Sequence, residues 1–142
     1  MPFSLTNLTG ASPSFRTHGG VREALEAACA RHPDVASFEE LGPSEEGAML
    51  YGVQLGTGRR PVSLIAGNHA DEPVGPETLR SFVLNALANR DKMEPWLRRF
   101  RFLIVPHTNP DGEARNRPWI EAWPDPKPTC GTRCGSGRGA TW

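Results

Sequence analysis

Two short apolar runs, PVSLIAG at residues 61–67 and FRFLIVP at 100–106, flank a segment in which Leu79, Phe82, Val83, Ala86 and Leu87 recur at helical spacing. Apolar residues repeating every three to four positions line one face of a helix, whereas a short continuous run bounded by Gly or Pro suits a strand buried on both faces. Strand, helix and strand in this order make a βαβ crossover, which is right-handed in nearly all sheets and leaves its two strands parallel. That feature confines the chain to an α/β fold: an open, largely parallel or mixed β-sheet flanked by helices. Upstream, GVREALEAACAR (20–31) sets Val21, Leu25, Ala28 and Cys29 on one helical face and stops at His-Pro. VASFEELG (35–42) and MLYGVQLG (49–56), separated by PSEEG, predict a β-hairpin.

The chain has 142 residues, 37% of them hydrophobic, with sixteen acidic and sixteen basic side chains, which suits one modest globular core. Its basic residues are spread along the sequence, so no nucleic acid and no anionic membrane surface is expected as a partner. No apolar run is long enough to span a bilayer, and MPFSLTNLTGASPSF lacks the basic and apolar segments of a secretory signal. A cytoplasmic protein is expected, and an odd set of three cysteines, Cys29, Cys130 and Cys134, agrees with a reducing compartment. No Gly-rich phosphate loop opens the helix at Pro76, which argues against nucleotide binding.

The first strand of the crossover runs into LIAGNHADEPVGPETL, where His69 stands three residues before Glu72 and Glu72 precedes Pro73. Proline disfavours helical backbone in the residue before it, so the pair belongs on an extended or turning loop, not on a helix. In an open α/β sheet such a loop leaves the carboxyl end of a central strand, where ligand sites form. An imidazole and a carboxylate on one loop are suited to chelate a single Zn2+, given a third protein ligand and a water. Ordinary solvated loop side chains are the alternative for the same two residues. The second parallel strand leaves the same edge of the sheet into PHTNPDGEARNRPW, in which Asn-Pro-Asp-Gly predicts a turn.

With both loops in view, the sequence resembles the zinc carboxypeptidase family of metallopeptidases, including its succinylglutamate desuccinylase and aspartoacylase branch. GNHADEPVGPETL is similar to the family's strand-end His-x-x-Glu zinc motif, and IVPHTNPDG to its strand followed by Asn-Pro-Asp-Gly. The resemblance covers roughly residues 35–119. It implies that His69 and Glu72 are zinc ligands and that Arg115, Asn116 and Arg117, in ARNRPW, hold a substrate carboxylate. A guanidinium fork donates two parallel hydrogen bonds to a carboxylate, although a merely solvating role for these arginines is equally compatible with the sequence. The implied activity is zinc-dependent removal of C-terminal residues from peptides; a deacylase cleaving N-acyl amino acids and a non-catalytic α/β binding module are the alternatives.

The family's third ligand, a His, and its general-base Glu come from later positions, and no His follows Asn109 here. Glu113 and Glu121 are not placed by the motif as that base. His107 is expected as a polar residue near the site, and His18 and His32, which flank the first helix, as solvated caps or turn residues. Residues 1–126 therefore read as the N-terminal portion of a zinc-carboxypeptidase-like domain. The tail, 127–142, contains four glycines and no Ile, Leu, Val, Met or Phe, the composition of a GC-rich gene read out of frame. Cys130 and Cys134 within it lack a second ligand pair and do not make a zinc knuckle. The expectation is an incomplete, inactive piece of an enzyme that leaves a sheet edge and an apolar face exposed.

Overall fold

The computed structural model describes residues 15–121, with side chains as far as residue 118. The tail at 127–142, with Cys130 and Cys134, lies outside the described residues. Helix α1 (His18–Arg31) starts at Thr17, whose Oγ1 accepts the Gly20 N–H at 3.0 Å, and ends at His32, whose backbone N–H returns to Cys29 O. The side-chain cap satisfies an otherwise orphaned helix donor, which explains why the helix begins two residues before the predicted start.

The expected hairpin is formed by β1 (Ala36–Pro43) and β2 (Met49–Leu55), paired antiparallel with a register shift between Glu40 and Gly42. The expected crossover follows as β3 (Arg60–Ile65), α2 (Val74–Ala88) and β4 (Phe100–Val105), with β3 and β4 parallel. The sheet is mixed, in the order β1-β2-β4-β3. Cross-strand register aligns Phe38, Val53 and Ile104 on one face, with Leu55, Phe102, Val62 and Leu64 beside them. This face meets Val21, Leu25, Ala28 and Cys29 of α1 and Val83, Ala86 and Leu87 of α2 in one core.

One expectation for the first crossover strand is corrected: β3 is not buried on both faces. It ends the sheet among the described residues, and Arg60, Pro61, Ser63 and Ile65 are exposed along it. The apolar run reads as fully buried because periodicity registers side-chain type, whereas burial depends on what lies opposite each face. On the opposite face of the sheet Ile65 and Leu103 are 61% and 39% exposed.

Helix α3 (Arg90–Arg99) is not announced by the sequence pattern. It buries only Leu97 and carries Pro95 in its interior, where proline removes a backbone hydrogen bond. The compensation is tertiary. Leu97 is 1% exposed, and its carbonyl accepts the Thr57 and Gly58 N–H groups of the β2–β3 connection at 2.8 and 3.2 Å. Leu97→Ala should therefore lower stability by about 3 kcal/mol, read from urea unfolding, a loss set by the cavity and by the detached helix.

The parallel register also gathers charge that looks scattered along the chain. Arg60 pairs with Phe100 and Pro61 with Arg101, so the exposed Arg59, Arg60, Arg98, Arg99 and Arg101 converge at the amino end of β3 and β4. Sequence separation hides this because residues 59–60 and 98–101 become neighbours only when the strands pair.

Candidate functional site

Parallel pairing makes β3 and β4 release their chains at the same edge, and the ladder continues beyond both strands. Ala66 N–H donates to Val105 O (3.0 Å), Thr108 N–H to Ala66 O (3.2 Å) and Asn109 N–H to Gly67 O (3.1 Å). Thr108 Oγ1 bonds the Asn68 side chain, and Asn109 Nδ2 donates to Asn68 O at 3.4 Å. The backbone entering the His69 loop is thus pinned at three successive residues, Ala66, Gly67 and Asn68, by Val105, Thr108 and Asn109. Gly67 makes this approach possible. Its φ is +73°, and a Cβ there would stand 2.9 Å from both His107 Cα and Pro106 O.

His69 and Glu72 are both exposed and are brought together by a turn in which Glu72 N–H donates to His69 O at 3.1 Å. The pair lies on a loop that ends at Pro73, the N-cap of α2, as Pro73 requires of the residue before it.

In the second loop Asn-Pro-Asp-Gly is not the free-standing turn that these residues also suit but the start of helix α4 (Pro110–Glu121). Asn109 Oδ1 accepts the Gly112 N–H at 2.9 Å, Pro110 occupies the first helical position, and Asp111 and Glu113 lie in the first turn. Each is a helix-start preference, and Asn and Pro serve turns and helix starts equally well. What selects the helix is packing of its first turn on the His69 loop, where a Cβ at Gly112 would come within 2.7 Å of Ala70 Cβ.

Helix α4 carries the three residues expected at a substrate carboxylate. Arg115 is exposed and forms an ion pair with Glu46 in the hairpin turn, where Asp111 also accepts from Ser44 Oγ (2.6 Å) and Glu46 N–H (3.1 Å). Arg117 donates to Glu113 Oε1 (3.3 Å) and to Phe15 O (3.1 Å), and Asn116 is half-buried. Both guanidinium groups are engaged by the chain's own acceptors, and these contacts moor α4 to the hairpin and to the segment before α1.

A buried cluster behind the loop could not be read from sequence. His107 is 2% exposed, its Nδ1 3.4 Å from Tyr51 Oη, and Tyr51 Oη donates to His18 O at 3.1 Å. The His18 ring lies 5.0 Å from the Tyr51 ring and 5.3 Å from that of His107. Burial, then the His18 charge, pushes the His107 pKa down to about 4. Burial likewise lowers His18 and raises Tyr51. His18 is therefore not the solvated cap expected: its Nε2 is buried and has no hydrogen-bond partner among the described residues. His32 does close α1 as expected. No local signal links positions 18, 51 and 107, which meet only because α1, β2 and the end of β4 converge.

His69 and Glu72 offer the nitrogen and oxygen donors that a borderline-soft cation accepts. They do so as a pair, because no group of three or more His, Cys, Asp or Glu among the described residues is placed to hold a metal ion. A sequence profile described as zinc carboxypeptidase matches residues 21–132, well over half of the chain. The chain belongs to the zinc carboxypeptidase family. Carboxypeptidase B of Astacus astacus is 30% identical over 104 residues, 71% of this chain and 34% of that protein. Zinc carboxypeptidase A 1 of Anopheles gambiae is 30% identical over 127 residues, 81% of this chain and 29% of that protein. Bovine thrombin-activatable fibrinolysis inhibitor shares the fold, with a TM-score of 0.67 at 23% identity over 73% of this chain and 34% of that one. This zinc carboxypeptidase chain thus spans about a third of the length of the relatives it matches.

Proposed function

We propose that His69 and Glu72 are two ligands of a zinc centre that serves metallocarboxypeptidase chemistry, the removal of C-terminal residues from peptides. The observation that carries this reading is the His69–Glu72 turn, pinned to β4 and α4 at the carboxyl end of two parallel strands. Zinc bound there supplies Lewis-acid polarisation of a scissile carbonyl and a coordinated water of lowered pKa. The chain's part is to present an imidazole and a carboxyl side chain from one short loop whose entering backbone is hydrogen-bonded to the end of β4.

Substrate capture falls to α4 in this reading. Its first turn packs on Ala70 of the metal loop and its second carries Arg115, Asn116 and Arg117, and exchange of Glu46 for a substrate carboxylate at Arg115 would use the same guanidinium geometry. Glu113, 8% exposed and paired with Arg117, is not available as a general base. A centre to which the described residues supply two protein ligands holds metal weakly, so this chain should show little or no chelator-sensitive peptidase activity.

The test is zinc titration against a chromophoric chelator. His69→Ala and Glu72→Ala should each raise the zinc Kd by more than about tenfold. Unchanged zinc affinity in both variants would return the loop to ordinary solvated side chains and favour a binding module. Release of C-terminal residues, set against release of acyl groups from N-acyl amino acids, separates peptidase from deacylase if hydrolysis is found.

A further inference from the structure

We infer that His107, held as its Nδ1–H tautomer by Tyr51, is a positioning residue for the His69–Glu72 loop. Tyr51 Oη carries one proton, and its partner at 3.1 Å, the His18 carbonyl, can only accept. The Tyr51 proton is therefore committed to His18 O, and the 3.4 Å contact between Tyr51 Oη and His107 must use a proton on Nδ1. Burial keeps the His107 ring neutral at neutral pH. A neutral imidazole has one N–H, so Nε2 is bare.

The ring so oriented abuts the metal loop. His107 Cδ2 lies 3.4 Å, and His107 Cα 2.9 Å, from where a Cβ on Gly67 would stand, so one edge of the ring runs along the Gly67 backbone. Thr108 and Asn109, the next two residues, donate their N–H groups to Ala66 O and Gly67 O. Rotating the imidazole would break the Tyr51 bond and disturb the backbone carrying the two N–H groups that pin the loop. Tyr51 is a rigid anchor: it is 1% exposed and stacked on Phe38 with ring centroids 5.4 Å apart. Position is thus passed from the hairpin through Tyr51 and His107 to Gly67, two residues before His69. Hydrogen-bonded groups outside the ligand set commonly orient metal ligands in this manner. The inference rests on the metal reading of the loop for its functional meaning, but its geometry stands without metal.

The experiment uses the isotope-labelled full chain at neutral pH, first without metal. The imidazole nitrogen shifts of His107 should report Nδ1–H. Tyr51→Phe and His107→Leu should speed amide exchange at Thr108 and Asn109 by about tenfold relative to Leu25 and Val83 in α1 and α2, a local opening that uniform destabilisation would not produce. His107→Asn, whose Nδ2–H replaces Nδ1–H, should restore protection. With Zn2+ added, Tyr51→Phe should weaken binding by about tenfold, the usual effect of losing an outer hydrogen bond. An Nε2–H tautomer in the unmodified chain would overturn the inference, as would Thr108 and Asn109 exchange that tracks the helices in every variant. The tautomer measurement decides even if a variant fails to fold. The metal reading fails separately, through unchanged zinc affinity in His69→Ala.

Discussion

Gly67→Ala should cost the chain about 3 kcal/mol and disorder the His69 loop. Two penalties combine. A φ of +73° is rarely adopted by residues with a side chain, and the new methyl would meet the backbone of Pro106 and His107 at 2.9 Å, where no flexible side chain can move aside. Gly47 is the control. Its φ of +89° carries the conformational penalty, but a Cβ there has open space, so Gly47→Ala should lose only about 1 kcal/mol. Urea unfolding of both variants separates strain from collision, and equal losses would show that the close approach at Gly67 is not tight.

The second large effect is on acid stability. His107 titrates near 4 in the folded chain against 6.5 in the unfolded one, so the unfolded state takes up its proton first as pH falls. Neutral His107 therefore contributes stability fully above pH 6.5, and this is lost as pH drops toward about 4. At about 1.4 kcal/mol per unit the loss amounts to about 3 kcal/mol. His18, also lowered by burial, adds in the same direction. Asp34, lowered by its hydrogen bond to Arg90, acts below its ordinary value of 3.8 and thus in a more acidic window. Unfolding free energies measured from pH 7 to pH 4 should fall steadily for the natural chain, and His107→Asn should flatten the slope. A slope unchanged in that variant would assign the loss to His18 or to carboxylates.

The site was legible to the extent that it is local. His69 and Glu72 belong on a turning loop because Pro73 forbids helix before it, and the turn between them has that form. The hairpin and the parallel crossover were legible because their periodicities and turn residues act over a few positions. Helix α3 was not, since its single buried residue and internal proline leave no pattern, and its anchor is the β2–β3 connection. The start of α4 is not legible locally because Asn and Pro suit a turn and a helix N-terminus alike, and the contact with Ala70 that decides between them is forty-two residues away from Gly112.

By itself the sequence determined the α/β class, the parallel crossover and the two donors of the proposed metal loop, all set by backbone preferences and short-range spacing. Only the tertiary structure decided that β3 is the exposed edge of the sheet among the described residues, that five arginines meet at one end of the sheet, and that His18, Tyr51 and His107 close into a cluster behind Gly67. The physical reason is the same in each case. Burial, hydrogen-bond pairing and electrostatic neighbourhood are properties of distance in space, and strand pairing brings together residues that the chain keeps dozens of positions apart.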